Sequence, residues 1–137
     1  MTDLDHQYES NVRAPIALTQ SLLPCLRRAR GHIVFVNSTA GLVARANASQ
    51  FAAIQHAMRA FATALRDEVN KDGIRVTMVF PSRTATARQE RIHGWEGNPY
   101  RPELLLQPET SPRSLAAINL PRTAEVTEIT IRSMAKT

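Results

Sequence analysis

Two apolar runs with one long amphipathic stretch between them constrain this chain more than any other feature. The first run, His32–Asn37, places Ile33, Val34, Phe35 and Val36 side by side without alternation. A strand that is apolar on both faces fits a parallel sheet covered on both sides. From Gln50 to Asn70 the residues Phe51, Ile54, Met58, Phe61, Leu65 and Val69 recur at intervals of three and four, which predicts a helix with one buried face. The alanines between them make that face narrow enough for close approach. Asp72 and Gly73 end the helix, and Ile74–Phe80 is again mostly apolar. Strand, helix and strand with short connections form a right-handed crossover, which predicts an α/β fold.

The flanks can be placed around this unit. Leu4–Ala29 reads as a long helix with Val12, Ile16, Leu22, Leu23 and Leu26 on its apolar side. Pro15 and Pro24 each remove an N–H, so each should kink the helix or mark a junction. Gly31 is the expected stop, and Ser49 the expected N-cap of the second helix. Arg83–Tyr100 follows the carboxyl end of a strand, where ligands bind in open α/β sheets. It reads as a mobile lid or as an ordinary surface connection. Four prolines between Pro99 and Arg113 predict irregular structure there. Ser114–Leu120 could form a short helix, and Val126–Ile131 a last strand. Residues 1–137 are expected to form one domain.

Composition removes several function classes. No apolar run approaches the roughly 18 to 20 residues that span a bilayer. The first ten residues are polar and acidic, unlike a signal peptide. The single cysteine, Cys25, rules out an internal disulfide framework and fits a reducing, cytoplasmic setting. On a helix it is expected to be a small buried hydrophobe. Four scattered histidines show no metal-ligand spacing, and His32, His56 and His93 support no Ser/His/Asp set. The net charge of +5 collects at Arg27, Arg28 and Arg30 and again at Arg83, Arg88 and Arg91. The first group ends a helix, where cations complement the dipole. No aromatic residue interleaves with either group, so single-stranded nucleic acid has no stacking platform.

Several segments at once carry a family resemblance. Asn11-Val12, LLPCLRRARGHIVFVNSTAG, the helix after Phe51, GIRVTMVFPSRTAT and TAEVTEITIR resemble, in order and spacing, the C-terminal half of a short-chain dehydrogenase/reductase. The resemblance covers nearly the whole chain. It implies a doubly wound, Rossmann-like parallel sheet with long flanking helices, here as a partial domain. It also implies NAD- or NADP-dependent hydride transfer between alcohols and carbonyls. By resemblance, Asn11 stands at the helix asparagine that holds a water of the proton relay, and Ser38 at the serine that binds the substrate oxygen. Pro81, Ser82 and Thr86 fall on the Pro-Gly-x-x-x-Thr turn beside the nicotinamide, with Ser82 in place of the glycine.

Two departures set the functional expectation. The family's tyrosine acid/base and its lysine partner are replaced by Phe51 and Gln55. Phe51 has no titratable group, and loss of a general acid/base costs on the order of 10² to 10⁴ in rate. Gln55 can reach a hydroxyl but exerts no charge. The family's Gly-rich dinucleotide turn has no counterpart among glycines 31, 41, 73, 94 and 97. The resemblance therefore implies an oxidoreductase by descent that neither turns over nor ordinarily binds NAD or NADP as this chain alone. The alternative is a non-catalytic association module that pairs with itself or with an intact relative. On either reading, the His32–Asn37 strand becomes an open edge. The helices at 4–29 and 50–70, which make the family's dimer contact, imply a homo-oligomer. Nothing in the lid segment selects a substrate class.

Overall fold

The computed structural model describes residues 3–110 and 115–135. The first helical stretch is divided. Helix α1 (Asp3–Tyr8) runs into one wide π-helical turn (Glu9–Arg13) and then into α2 (Ala14–Ala29). Pro15 sits at the second position of α2, where its missing N–H costs little. It marks a junction, as expected. Pro24 lies inside α2, and the helix continues through it.

The stop of α2 differs from expectation in an instructive way. The left-handed residue is Arg30, at φ 46°, and not Gly31. Gly31 N–H donates to Leu26 O at 2.9 Å and closes the turn. A Cβ on Gly31 would stand 2.7 Å from Leu26 Cδ2, so the tip of that leucine would have to shift.

Strand β1 (His32–Val36) leads through a short 3-10 turn (Thr39–Gly41) to α3 (Ser49–Val69). Ser49 is the first residue of α3 and not its cap. Ala48 takes the cap position without a side-chain bond. A 3-10 turn (Asn70–Asp72) and Gly73 at φ 75° return the chain into β2 (Arg75–Pro81). Residues 83–100 hold a helix, α4 (Ala87–Glu96), capped by Thr86 and ended by Gly97 at φ 69°. A further 3-10 turn (Pro102–Leu104) interrupts the otherwise irregular proline-rich stretch, and another spans Leu115–Ile118. The expected segments Pro99–Arg113 and Ser114–Leu120 lie partly outside the described residues. The last strand is β3 (Glu128–Ile131).

The three strands are parallel, in the order β1-β2-β3. His32 aligns with Arg75 and Val36 with Val79, while Met78 aligns with Glu128. Ladder bonds alternate: Arg75 N–H reaches Gly31 O at 3.1 Å, and Asn37 N–H reaches Val79 O at 2.8 Å. The odd residues of β1 thus bond to β2. The N–H and C=O groups of His32, Val34 and Val36 face the open edge.

One sheet face packs on the helices. Val76, Met78 and Phe80 meet Ala62, Leu65 and Val69 of α3, with Leu23 and Leu26 of α2 closing over them. Phe35 and Phe61 join edge-on at 6.0 Å and 73°. A second cluster, Val12, Ile54 and Met58, fastens the π turn to α3. The other face carries His32, Val34, Val36, Thr77 and Val79. There Thr77 and Val79 are buried, but Val36 is 71% exposed. Because β3 begins late, the β2 edge before it is completed by side chains. Arg66 Nε donates to Val76 O at 2.8 Å, and Glu125 Oε1 accepts from Val76 N–H at 2.6 Å. Cys25 is exposed, contrary to expectation, and its Sγ lies 3.1 Å from Arg28. No helix among the described residues is long and apolar enough to cross a membrane.

Candidate active site

The carboxyl ends of β1 and β2 place the expected site residues at one end of the sheet. Ser38 follows β1 in extended geometry, and its Oγ accepts from Ala40 N–H at 3.2 Å. The Ser38 O–H proton has no partner among the described residues, so it can donate outward. Gln55 lies on the buried side of α3 at 6% exposure. Its side-chain amide makes no hydrogen bond among the described residues. Phe51, one turn earlier, is half-buried and outside both apolar clusters. Asn11 lies in the π turn, and its Nδ2 donates to Gln7 O at 3.0 Å. The neighbouring Val12 packs on Ile54 and Met58, so the turn abuts the first half of α3.

The fold gathers Asn11, Ser38, Phe51 and Gln55 around the start of α3, but no hydrogen bond among the described residues joins their side chains. What joins their elements is Asn37, which sequence reasoning did not single out. Its Oδ1 accepts from Ser38 N–H at 2.6 Å, and its Nδ2 donates to Gln55 O at 2.9 Å. Gly41 lies against this bridge: a Cβ there would meet Asn37 Oδ1 at 2.5 Å and Gln55 O at 3.1 Å. An amide at a strand end with a glycine four residues later was the available signal.

The residues after β2 are held mostly by their own fold. Pro81 ends β2, and Ser82 N–H donates to Ile131 O at 2.8 Å. Ser82 Oγ accepts from Ser133 N–H at 3.1 Å. Thr86 Oγ1 accepts from Gln89 N–H at 3.2 Å as the cap of α4. Thr84 bridges Leu106, and Leu106 N–H reaches Arg83 O at 3.0 Å. The stretch expected as a lid or connection is thus an anchored helical connection.

Beneath α4, Arg83 pairs with Glu96 at 2.8 Å and holds that carboxyl below its usual range. His93 is buried; its Nδ1 lies 2.8 Å from Gln89 O and its Nε2 3.5 Å from Arg83. Gln89 Nε2 also lies 3.2 Å from Nδ1. Tyr100 packs edge-on against it at 5.5 Å. Among the described residues, no three His, Cys, Asp or Glu side chains stand close enough to share a metal ion.

A parallel sheet with crossover helices and polar residues collected past the strand ends defines an open α/β, Rossmann-like architecture. The short chain dehydrogenase family model matches residues 1–97, and the chain belongs to that family. An uncharacterized short-chain type dehydrogenase/reductase of Sinorhizobium fredii is 34% identical over 134 residues, 94% of this chain and 54% of its own length. The dehydrogenase/reductase SDR family member 7B of Bos taurus is 42% identical over 74 residues, 53% of this chain and 23% of its own. Among solved structures, serine dehydrogenase from Escherichia coli superposes with a TM-score of 0.80 at 20% identity, covering 98% of this chain and 55% of that one. At that identity the likeness concerns the fold. A short-chain dehydrogenase from Escherichia coli CFT073, complexed with NADPH, gives 0.73 at 28% identity over 88% of this chain and 49% of its own. The chain spans about half the length of the Sinorhizobium fredii relative and of these solved structures.

Proposed function

We propose that this chain is a short-chain dehydrogenase/reductase-type segment that keeps the family's substrate-side scaffold but does not exchange a proton at position 51. It therefore does not interconvert alcohols and carbonyls as it stands. One observation carries the reading: the ring of Phe51 has no hydroxyl, and Gln55 one turn on is buried and uncharged. Nicotinamide dinucleotides are the cofactor class such a site faces. Serine dehydrogenase has been solved with NADP+, and an alcohol dehydrogenase from Thermococcus sibiricus with 5-hydroxy-NADP.

The residues present do not fit a nicotinamide dinucleotide engaged for reaction. The Gln55 amide can meet a ribose hydroxyl and Ser38 can donate to a substrate oxygen. Ser82 and Thr86 accept from backbone N–H groups of their own fold, and Phe51 can neither give nor take a proton. Titration of the purified chain with NADH and NADPH, followed by nicotinamide fluorescence and by turnover of a panel of ketones and aldehydes, tests the reading. Absence of turnover is expected. Micromolar binding accompanied by turnover of any carbonyl compound refutes it.

A second reading, self-association through α2 and α3, draws support from Leu18 and Leu22. Both lie on the side of α2 turned from the core, at 61% and 44% exposure. Leu4 and Tyr8 of α1 are exposed as well, at 44% and 51%, and a second copy could cover apolar residues of this kind. Sedimentation velocity of the wild type and of Leu18→Glu tests this. A dimer lost in the variant supports the reading, and a wild-type monomer at micromolar concentration rejects it.

A further inference from the structure

The end of the sheet opposite Ser38 holds a cleft of about 800 Å3. It forms where α2 turns into β1 and α3 turns into β2. Both turns pass through a left-handed residue, Arg30 and Gly73. The turns touch: a Cβ on Gly73 would lie 3.2 Å from Arg30 Cγ. Arg122, on the segment before β3, donates to Arg30 O at 2.6 Å and approaches Gly73 O at 3.4 Å. Arg75 donates to Pro121 O at 2.6 Å. Two guanidiniums are therefore anchored by carbonyl oxygens, not by carboxylates.

The charge at this end is unbalanced. The cleft is lined by the cations Arg27, Arg30, Lys71, Arg75 and Arg122 and by the carboxylates Asp72 and Glu125. Asp72 is held by Arg27 at 2.8 Å. Glu125 is occupied by Val76 N–H at 2.6 Å and by Asn70 Nδ2 at 3.1 Å. Arg30, Lys71, Arg75 and Arg122 form no ion pair among the described residues. A concave wall on which cations outnumber carboxylates concentrates anions. Donors already fixed in place lose little freedom on binding one. The field reaches β1, where the His32 imidazole is held below its ordinary value by burial first and then by Arg75, with Glu125 opposing and Arg122 adding to the lowering.

We propose that this cleft binds a small anionic ligand bearing phosphate or pyrophosphate groups, at the sheet end remote from the dehydrogenase-type site. Its concavity and volume suit a molecule of nucleotide size or smaller. A nucleic-acid backbone would need a continuous basic track. The remaining basic group, Arg83, Arg88 and Arg91, belongs to the segment after β2, at the other end of the sheet. The site stands apart from the reading of position 51 and does not depend on it.

Calorimetric titration with inorganic pyrophosphate at low ionic strength tests the proposal on the wild type, on Arg30→Gln/Lys71→Gln and on the charge-matched control Arg88→Gln/Arg91→Gln. Saturable binding is expected in the wild type and the control. It weakens by about tenfold per lost charge-assisted contact in the cleft variant. Lys71→Gln alone carries the comparison if the substitution at Arg30 disturbs the turn, as thermal melts will report. In NMR titrations, saturating pyrophosphate should raise the His32 imidazole pKa, because the anion offsets Arg75 and Arg122. Equal weakening in the two double variants, no saturable heat at millimolar pyrophosphate, or a His32 titration that pyrophosphate leaves unmoved each overturns the proposal. So does a short DNA duplex that binds more tightly and resists displacement by pyrophosphate.

Discussion

Replacing Gly41 with alanine should loosen the joint that places Ser38 beside α3. The backbone at Gly41 needs no left-handed conformation, so the penalty is steric. The new methyl would lie 2.5 Å from Asn37 Oδ1 and 3.1 Å from Gln55 O. The first distance is too short to persist, and Gln55 O belongs to a helix backbone that yields little. The Asn37 side chain must leave. With it go the 2.6 Å bond from Ser38 N–H and the 2.9 Å bond to Gln55 O. Two part-buried hydrogen bonds at about 1 kcal/mol each, with residual crowding, give a loss of about 2–3 kcal/mol. For a chain of this size that lowers Tm by about 10 °C. Urea denaturation of Gly41→Ala, Asn37→Ala and the double variant measures it. Once the amide is gone, Gln55 O is what remains of the three nearest contacts of the added methyl, so the double variant should recover at least about 1 kcal/mol relative to additivity. A Gly41→Ala protein within 0.5 kcal/mol of wild type, or strict additivity in the cycle, refutes the reasoning.

Three further outcomes follow from the same geometry. The His32 pKa lies below 6.5 in the folded chain, so the unfolded chain binds more protons as pH falls through that value. Stability is therefore complete above about pH 6.5 and declines below it. Urea midpoints at several pH values should show that slope, reduced in His32→Gln. Arg66→Met removes the donor to Val76 O and Thr127 O at 2.8 and 3.0 Å. It also leaves Glu125 without the guanidinium 4.0 Å away, and should cost about 2–3 kcal/mol by urea denaturation. Gln55→Lys places an ammonium at a site of 6% exposure with no carboxylate paired to it. It should destabilise the chain at pH 7 by about 1–3 kcal/mol and less at high pH, where the amine is neutral.

Much of this architecture was legible because it rests on periodicity. The Ile54, Met58, Leu65 and Val69 stripe is buried as its spacing requires, and the unalternating β2 run is the central strand. The misplacements concern groups whose role depends on distant partners. Gly31 reads as a conformational stop, but the left-handed residue is Arg30, and Gly31 lies instead against Leu26 Cδ2, a contact that only the packed turn creates. Ser49 has the right side chain for a cap and stands one residue too late. Cys25 has the hydropathy of a core residue but lies on the outer side of α2. At the site, Asn11, Ser38, Phe51 and Gln55 are assigned through the family resemblance. Asn37 is not, because its bridging role exists only when the β1 end, Gly41 and α3 are brought together. Arg66 and Glu125 were hidden for the same reason, since the unfinished ladder they complete spans three separate elements.

Strand β1 makes ladder bonds on one side only. Its amides should therefore divide into two populations when the protein is moved into deuterated water. Ile33 and Phe35, tied to β2, will retain their protons through the cooperative openings of the core. His32, Val34 and Val36, turned toward solvent, will exchange early. A zigzag of slow and fast sites along five consecutive residues is the signature of a ribbon with one free margin. Its loss on adding any binding partner would map where that partner lies.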